Sequence, residues 1–191
     1  CPYHARAMGN PLRVRRPIAE LAAKGQVIEI AEKIGNFERL AGIVEADLAT
    51  LDPDKIPHDW RDSMVTGWLE FGFADAQKQV VSLVGELAVT LDAVCQRCLE
   101  PFRLSLATGL RLLPTTVEQG VSAGNDFEPW ELEDERVCPA EIVEEVLIMA
   151  MPLSAMHENS AACKGYEPAD EEVQQTTRPF AALKAQLDQD K

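Results

Sequence analysis

The sequence predicts an α+β domain in which an antiparallel β-meander of about three or more strands is packed by helices. Three observations predict this fold: alternating apolar and polar residues in mid-chain, short connections between the alternating stretches, and helix-type apolar spacing on both sides. The length of 191 residues, with 46% hydrophobic and 26% charged residues, fits one globular domain with a tail. No apolar run approaches the ~18 residues that span a bilayer, so no membrane association is expected.

The strands are predicted from their period of two. Alternation over 65–73, 81–91 and 102–112 indicates three sequential strands, with Gly85 a candidate bulge in the second. Their short connections favour a meander with one apolar face, which helices must cover.

The flanking segments carry helical spacing. Within 27–51 a helical stripe is formed by Ile34, Phe37, Leu40, Ala41 and Val44. A second helix is predicted to open at Pro139 and stop at Pro152. Its apolar stripe comprises Ile142, Val146, Met149 and Ala150, and Val143 and Leu147 widen it. A short terminal helix is predicted at 181–187.

These elements divide the chain into three parts. Residues 1–11 are predicted to be a flexible basic arm and 12–165 a single α+β domain with an acidic loop at 115–136. Residues 166–191 are predicted to be an acidic linker with the short C-terminal helix. The chain starts without Met, so Met8 is a candidate native start. Because no signal-peptide core follows, we expect a cytoplasmic protein with reduced cysteines.

Charge is distributed unevenly along the chain. The net charge of −14 divides into +4 over 1–16, −6 over 17–113 and −12 over 114–191. A polyanion disfavours simple electrostatic binding of nucleic acid and suits either plain solubility or a basic protein partner. The basic arm is either a local RNA contact or a frayed terminus.

The sharpest local motif is the pair Cys95 and Cys98, which lies between the second and third strands. Two thiolates two residues apart in a tight turn can bind one tetrahedral metal, and zinc then needs two more ligands. His157 and Cys163 are the best candidates; Cys138 is weaker because it lies at the far end of the helix. Two alternatives remain: a dithiol redox pair, for which a hairpin is the wrong setting, and two reduced thiols without a ligand.

No catalytic motif accompanies this pair, and no catalytic residues are predicted. The sequence lacks a Walker loop, GxGxxG, GxSxG and HExxH, so the protein is expected not to be an enzyme. Any RNA contact is expected to be local. Its candidate residues are Arg13, Arg15, Arg16, Arg97, Arg103 and Arg111, with surface ion pairs as the alternative role.

Three stretches resemble one family. These are residues 95–102, which read Cys-Gln-Arg-Cys-Leu-Glu-Pro-Phe, the helix 142–153 that ends in Met-Pro-Leu, and Pro-Phe-Ala-Ala-Leu at 179–183. Together they resemble the YceD-like large ribosomal RNA subunit accumulation proteins of bacteria and plastids, over 12–187 and most closely over 81–165. The resemblance implies a non-enzymatic role in synthesis, processing or stability of large-subunit (23S) ribosomal RNA. In this family the gene often neighbours that of a small zinc-ribbon protein of the large ribosomal subunit, so the resemblance also suggests a partner.

The chain departs from some relatives after the predicted helix. They carry a second cluster of the form Cys-x-x-x-Cys-Lys-Gly-Leu-Cys-Pro-x-Cys, of which Cys163-Lys164-Gly165 remains here, with His157 near the first cysteine. Tyr166-Glu167-Pro168 stands where the last two cysteines would be. A zinc site is therefore either kept as three cysteines and one histidine or lost.

Three functions are consistent with these features. The first is a non-enzymatic ribosome-biogenesis factor whose partner is large-subunit rRNA precursor, contacted directly or indirectly. The second is an acidic, chaperone-like binder of a basic large-subunit ribosomal protein. The third is a CxxC thiol-redox protein.

Overall fold

A computed structural model describes residues 10–115, 126–132, 134–158 and 163 of the chain. Its centre is a five-stranded sheet of order β2-β3-β4-β5-β6, and a two-stranded ribbon joins β1 to β7. The strands are β1 Arg16–Pro17, β2 Val27–Lys33, β3 Met64–Phe73, β4 Val81–Val94, β5 Pro101–Thr115, β6 Glu128–Glu131 and β7 Arg136–Val137. The helices are α1 Ile18–Ala23, α2 Glu38–Leu48 and α3 Pro139–Ala150.

The α+β fold and the predicted meander are confirmed. β3, β4 and β5 pair antiparallel in sequence order, and the ladder between β4 and β5 runs without interruption from Leu83↔Leu112 to Val94↔Pro101. Gly85 keeps its register in both ladders, so the predicted bulge is absent there. A Cβ at Gly85 would lie 2.5 Å from the carbonyl oxygen of Trp68, because the neighbouring strand approaches closely at this point.

Three strands, β2, β6 and β7, lie wholly or partly where the sequence patterns predicted other structure. The segment 27–51, interpreted through its helical stripe, begins with β2, whose Ile28 and Ile30 are buried between exposed neighbours. The segment 115–136, predicted to be a loop, contains β6, which pairs with the end of β5 in parallel, and β7. A strand of two to seven residues has too few alternations to stand out from its surroundings.

The core lies between one face of the sheet and the helices. Every residue of the stripe predicted within 27–51 is buried, from Ile34 to Val44. α3 begins at Pro139 as predicted and buries Ile142, Val143 and Leu147 of the predicted stripe. It also buries Glu144, which the stripe did not include, and leaves Met149 76% exposed.

Several predictions fall on other parts of the chain. The helix 181–187, the linker from 166 onward and the arm up to residue 9 lie outside the described residues. Among the helices that the structure does describe, none is long and apolar enough to cross a membrane.

A buried carboxylate lies on β4. Asp92 is 5% exposed, and its Oδ2 accepts no hydrogen bond from any described residue. The nearest cation is Arg103 on β5, with Nη1 3.6 Å from that oxygen. Burial, only partly opposed by Arg103, raises the pKa of Asp92 above its ordinary value. The ionised form of Asp92 therefore destabilises the folded state.

We expect Asp92→Asn to raise the melting temperature at neutral pH. A carboxyl whose pKa is higher in the folded state lowers the stability of the protein at pH values above that folded-state pKa. As the pH falls through this value, Asp92 becomes protonated and wild type regains the lost stability. The advantage of the variant should therefore shrink as the pH approaches the unfolded value of about 4. Thermal melts across this range test it, with Asp54→Asn as the exposed control. A variant less stable than wild type at neutral pH would contradict the prediction.

Candidate metal centre

The Cys95–Cys98 pair lies in the turn that joins β4 to β5. The N–H of Leu99 donates to the carbonyl of Cys95 at 2.8 Å, and the N–H of Cys95 donates to the carbonyl of Glu100 at 3.0 Å. Leu99 adopts φ +57°, which closes the turn. Because the turn is closed so tightly, the sulfur atoms of Cys95 and Cys98 lie on the same side of it.

Two contacts fix this turn against the rest of the fold. Oδ2 of Asp47 in α2 accepts the N–H of Val94 at 2.8 Å, immediately before the first cysteine. The N–H of Gln96 donates to the carbonyl of Ala155 at 2.8 Å, which attaches the segment after α3 to the turn. The turn is therefore held by a helix on one side and by the post-helix segment on the other.

The segment after α3 supplies the second half of the cluster. α3 ends at Ala150, because Pro152 cannot continue it, and the chain then runs back to the turn. The His157 ring packs against Phe102 of β5, with centroids 4.8 Å apart. Cys163, 4% exposed, lies beside it.

The four predicted side chains converge. Cys95 Sγ lies 3.9 Å from Cys163 Sγ, and His157 Nδ1 lies 3.7 Å from Cys98 Sγ and 3.5 Å from Cys163 Sγ. All four potential ligand atoms fall within 4.8 Å of one another. The sulfur separation is far longer than a disulfide bond, and the cysteines are free. This group of atoms can hold a metal ion.

The local electrostatics favour a thiolate at the centre. Burial opposes ionisation of Cys95, but backbone N–H groups of His157, Cys98 and Arg97 stabilise its anion and lower its pKa to about 5. Burial and the neighbouring thiols raise the pKa of Cys163. A cation added among these sulfurs would stabilise the ionised form of each.

The cluster contains the ligand set predicted from the sequence and leaves out Cys138. That thiol lies next to the start of α3 and donates to the carbonyl of Leu12 at 3.6 Å. Arg97 has a role that the sequence did not predict, since its Nη1 lies 3.8 Å from Cys163 Sγ and its Nη2 3.8 Å from Met156 Sδ. Its position inside the CxxC motif was the only available signal.

The three arginines near the N-terminus lie far from this cluster in the fold. Arg13 donates to the carbonyl of Asn36 at 2.6 Å, and Arg15 pairs with Glu141 of α3 at 2.7 Å. Arg16 is part of β1.

The other three predicted RNA contacts lie along the hairpin. Arg97 is in its turn, and Arg103 and Arg111 share one face of β5 at about 26 Å from each other. Arg111 stacks on the ring of Phe127 at 4.9 Å. The six arginines therefore form no single patch, and their contact with RNA stays a prediction.

Comparisons with known proteins place the cluster residues within a known family. A family model described as "Large ribosomal RNA subunit accumulation protein YceD" matches residues 83–187, which include all four cluster residues. The chain is also similar to a curated protein of that name from Haemophilus influenzae. The two are 33% identical over 129 residues, which cover 64% of this chain and 72% of that protein. No solved structure matches significantly.

Proposed function

The chain belongs to the YceD family of large ribosomal RNA subunit accumulation proteins, and on that premise we propose that it is a non-enzymatic factor in synthesis, processing or stability of 23S ribosomal RNA. The observation that carries this proposal is that the family match spans the CxxC turn, α3 and the residues that complete the cluster. A cytoplasmic site of action follows from the same role.

We further infer that the cluster holds zinc. In a tetrahedral zinc site, bonds of about 2.3 Å to sulfur and about 2.0 Å to nitrogen give ligand separations of about 3.8 Å between sulfurs and about 3.5 Å from sulfur to nitrogen. Three of the six separations, at 3.9, 3.7 and 3.5 Å, are close to these values, and all six are within 4.8 Å. Three cysteines and one histidine fill all four positions, so the ion would be structural.

A zinc site with all four positions filled by protein ligands also argues against the redox function. A dithiol redox role needs a free, reactive thiolate, whereas a four-ligand site would leave neither Cys95 nor Cys98 available. The structural role proposed here is instead to lock the hairpin turn to the segment after α3. That lock would present Arg97 and Arg103 in a defined position for RNA.

We expect Arg97→Gln/Arg103→Gln to weaken binding of large-subunit rRNA fragments. Each lost phosphate contact should lower the slope of log affinity against log salt by about one. Filter binding at several salt concentrations measures the slope, and zinc content verifies that the cluster is intact. Lys24→Gln/Lys33→Gln removes equal charge from the C-cap of α1 and from β2 and is the control. Equal slopes in both variants would contradict a role for the hairpin.

A second candidate function, an acidic binder of a basic ribosomal protein, is favoured by the net charge of −14. Affinity capture with and without RNase distinguishes the two. Recovery of 23S precursor, with protein partners lost after RNase, supports the RNA role. A basic ribosomal protein that stays bound after RNase supports the second candidate.

A further inference from the structure

A groove of about 740 Å³ lies between α3 and the edge of the sheet. We call it the edge groove; it is bounded by β5, β6 and α3 and extends onto the outer face of the sheet at Trp68 of β3. Its apolar wall includes Leu110 and Leu112 of β5 and Val146 and Met149 of α3. Met149 is 76% exposed there, although its side chain is large and apolar. An exposed apolar wall beside a sheet edge is typical of a docking surface.

The edge of β5 in this groove is open over most of its length. β4 pairs with β5 over Pro101–Leu112, but β6 pairs with its other edge only over Leu112–Thr115. Within the part of the chain that the structure describes, the backbone before Leu112 has no strand neighbour on that side. Such an edge can accept an extended segment of another chain, which then pairs through main-chain hydrogen bonds.

The charged side chains of the groove indicate which kind of molecule it can bind. Three exposed carboxylates line it, those of Glu86, Asp126 and Glu128, and none of them has an ion-pair partner among the described residues. A fourth, Glu145, is paired with Arg39 at 2.7 Å. The one lining base, Arg111, stacks on Phe127. Unpaired carboxylates repel RNA phosphates and attract lysine and arginine.

The outer part of the groove adds an aromatic contact. Trp68, Glu86 and Gly109 lie opposite one another on β3, β4 and β5. Since Gly109 has no side chain, a shallow depression of about 400 Å³ remains open beside the indole and the carboxylate. An indole next to a carboxylate attracts a cation by both ion pairing and cation–π interaction.

We propose that the edge groove binds an extended, arginine- or lysine-rich segment of a protein partner. The segment pairs with the open edge of β5, places apolar side chains against α3, and directs cationic side chains to Glu86, Asp126 and Glu128. One cation lies against Trp68. The proposal deepens the function above by naming a class of partner, and it rests on that function only for the expectation that the partner is ribosomal.

The probe for this proposal is a fluorescein-labelled octapeptide of alternating arginine and valine. Fluorescence polarisation with the full chain should show saturable binding that Glu86→Gln/Glu128→Gln weakens about tenfold and Trp68→Leu about threefold. Glu38→Gln/Asp54→Asn removes the same charge from exposed positions outside the groove and should change affinity less than about twofold. N-methylation of alternate peptide amides should weaken binding, since it removes main-chain donors without altering charge.

Three outcomes would overturn the proposal. One is an absence of peptide binding to wild type, and another is an equal loss in the groove and control variants, which would indicate non-specific attraction. The third is that single-stranded RNA binds wild type and binds Glu86→Gln/Glu128→Gln more weakly. This result would assign the groove to RNA. Melting temperatures check that every variant is folded.

The rRNA role is measured separately, as the 23S level in cells that carry Glu86→Gln/Glu128→Gln. If this variant loses peptide binding but its cells keep a normal 23S level, the groove would be supported as a peptide-binding site. The expectation that its partner is ribosomal would be overturned. The opposite result is also informative. If wild type binds no peptide but the 23S level in cells depends on the protein, the proposed groove binding would be overturned and the rRNA role supported.

Discussion

Cys98→Ser is expected to abolish the zinc binding proposed for the cluster and to loosen the turn between β4 and β5 from the segment after α3. The thiol of Cys98 is one of four ligand atoms within 4.8 Å of one another. Loss of a residue that only hydrogen-bonds to a zinc ligand already lowers zinc affinity about 10–100-fold, so loss of a ligand itself should exceed that range. Because metal bound only to the folded state stabilises it by mass action, the melting temperature should fall as well.

Two measurements test this expectation. Elemental analysis should give one zinc per chain in wild type and much less in the variant, and a chelator should lower the melting temperature of wild type only. Cys138→Ser is the matched control, because this buried thiol lies outside the cluster and serine keeps its donor to the carbonyl of Leu12. Equal zinc content in Cys98→Ser and wild type would refute the proposed ligand set.

His157→Cys distinguishes ligation from packing at the same position. Thiolate and imidazole are both good zinc ligands, so this variant should retain the metal, whereas His157→Ala should lose it. Both variants remove the ring that packs against Phe102, so a purely structural role would affect them equally.

Glu144→Ala is expected to lower the free energy of unfolding by about 2–4 kcal/mol. Glu144 belongs to α3 and is 7% exposed, yet its Oε1 accepts the backbone N–H groups of Arg39 at 2.6 Å and Leu40 at 2.9 Å. These are first-turn donors of α2, whose N-cap, Phe37, provides no side-chain hydrogen bond. Alanine would leave one buried and one partly buried donor unsatisfied and would remove a negative charge from the positive end of a helix.

The adjacent residue provides the control for this prediction. Glu145 also belongs to α3 and also contacts Arg39, but through an exposed side-chain ion pair at 2.7 Å. Glu145→Ala should cost less than about 1 kcal/mol. Glu144→Gln keeps one acceptor and should fall between the two alanine variants. Urea unfolding measures all three, and similar losses for Glu144→Ala and Glu145→Ala would contradict the capping role.

The long strands and α3 were predictable because their patterns are repeated many times. β4 and β5 contain 14 and 15 residues, so alternation is seen over several periods, and Pro139 marks the start of α3. β2 and β6 were missed for the opposite reason. β2 has seven residues next to a helical stripe, and β6 has four in an acidic stretch and is held by parallel pairing with the end of β5.

The candidate metal site could be predicted because its chemistry is local in the sequence. Two cysteines two residues apart form half of a tetrahedral site whatever the surrounding fold, and His157 and Cys163 were the nearest suitable residues after the helix. The sequence could not indicate that Asp47 supports the turn through Val94, because that contact joins residues 47 positions apart. Nor could spacing show that Arg97 would lie beside the thiol of Cys163.

By itself, the sequence determined the α+β class, the meander, the cysteine turn and the acidity of the chain, because periodicity, short-range spacing and charge are local properties. Only the tertiary structure decided which helix caps α2. It also decided which carboxylate is buried without a hydrogen bond and which edge of β5 is unpaired, both among the residues that the structure describes. Glu144 reaches residues 104 and 105 positions away, and the edge groove joins three strands of the sheet to β6 and α3. Such contacts form only when distant segments pack together, and local sequence patterns do not specify which segments will meet.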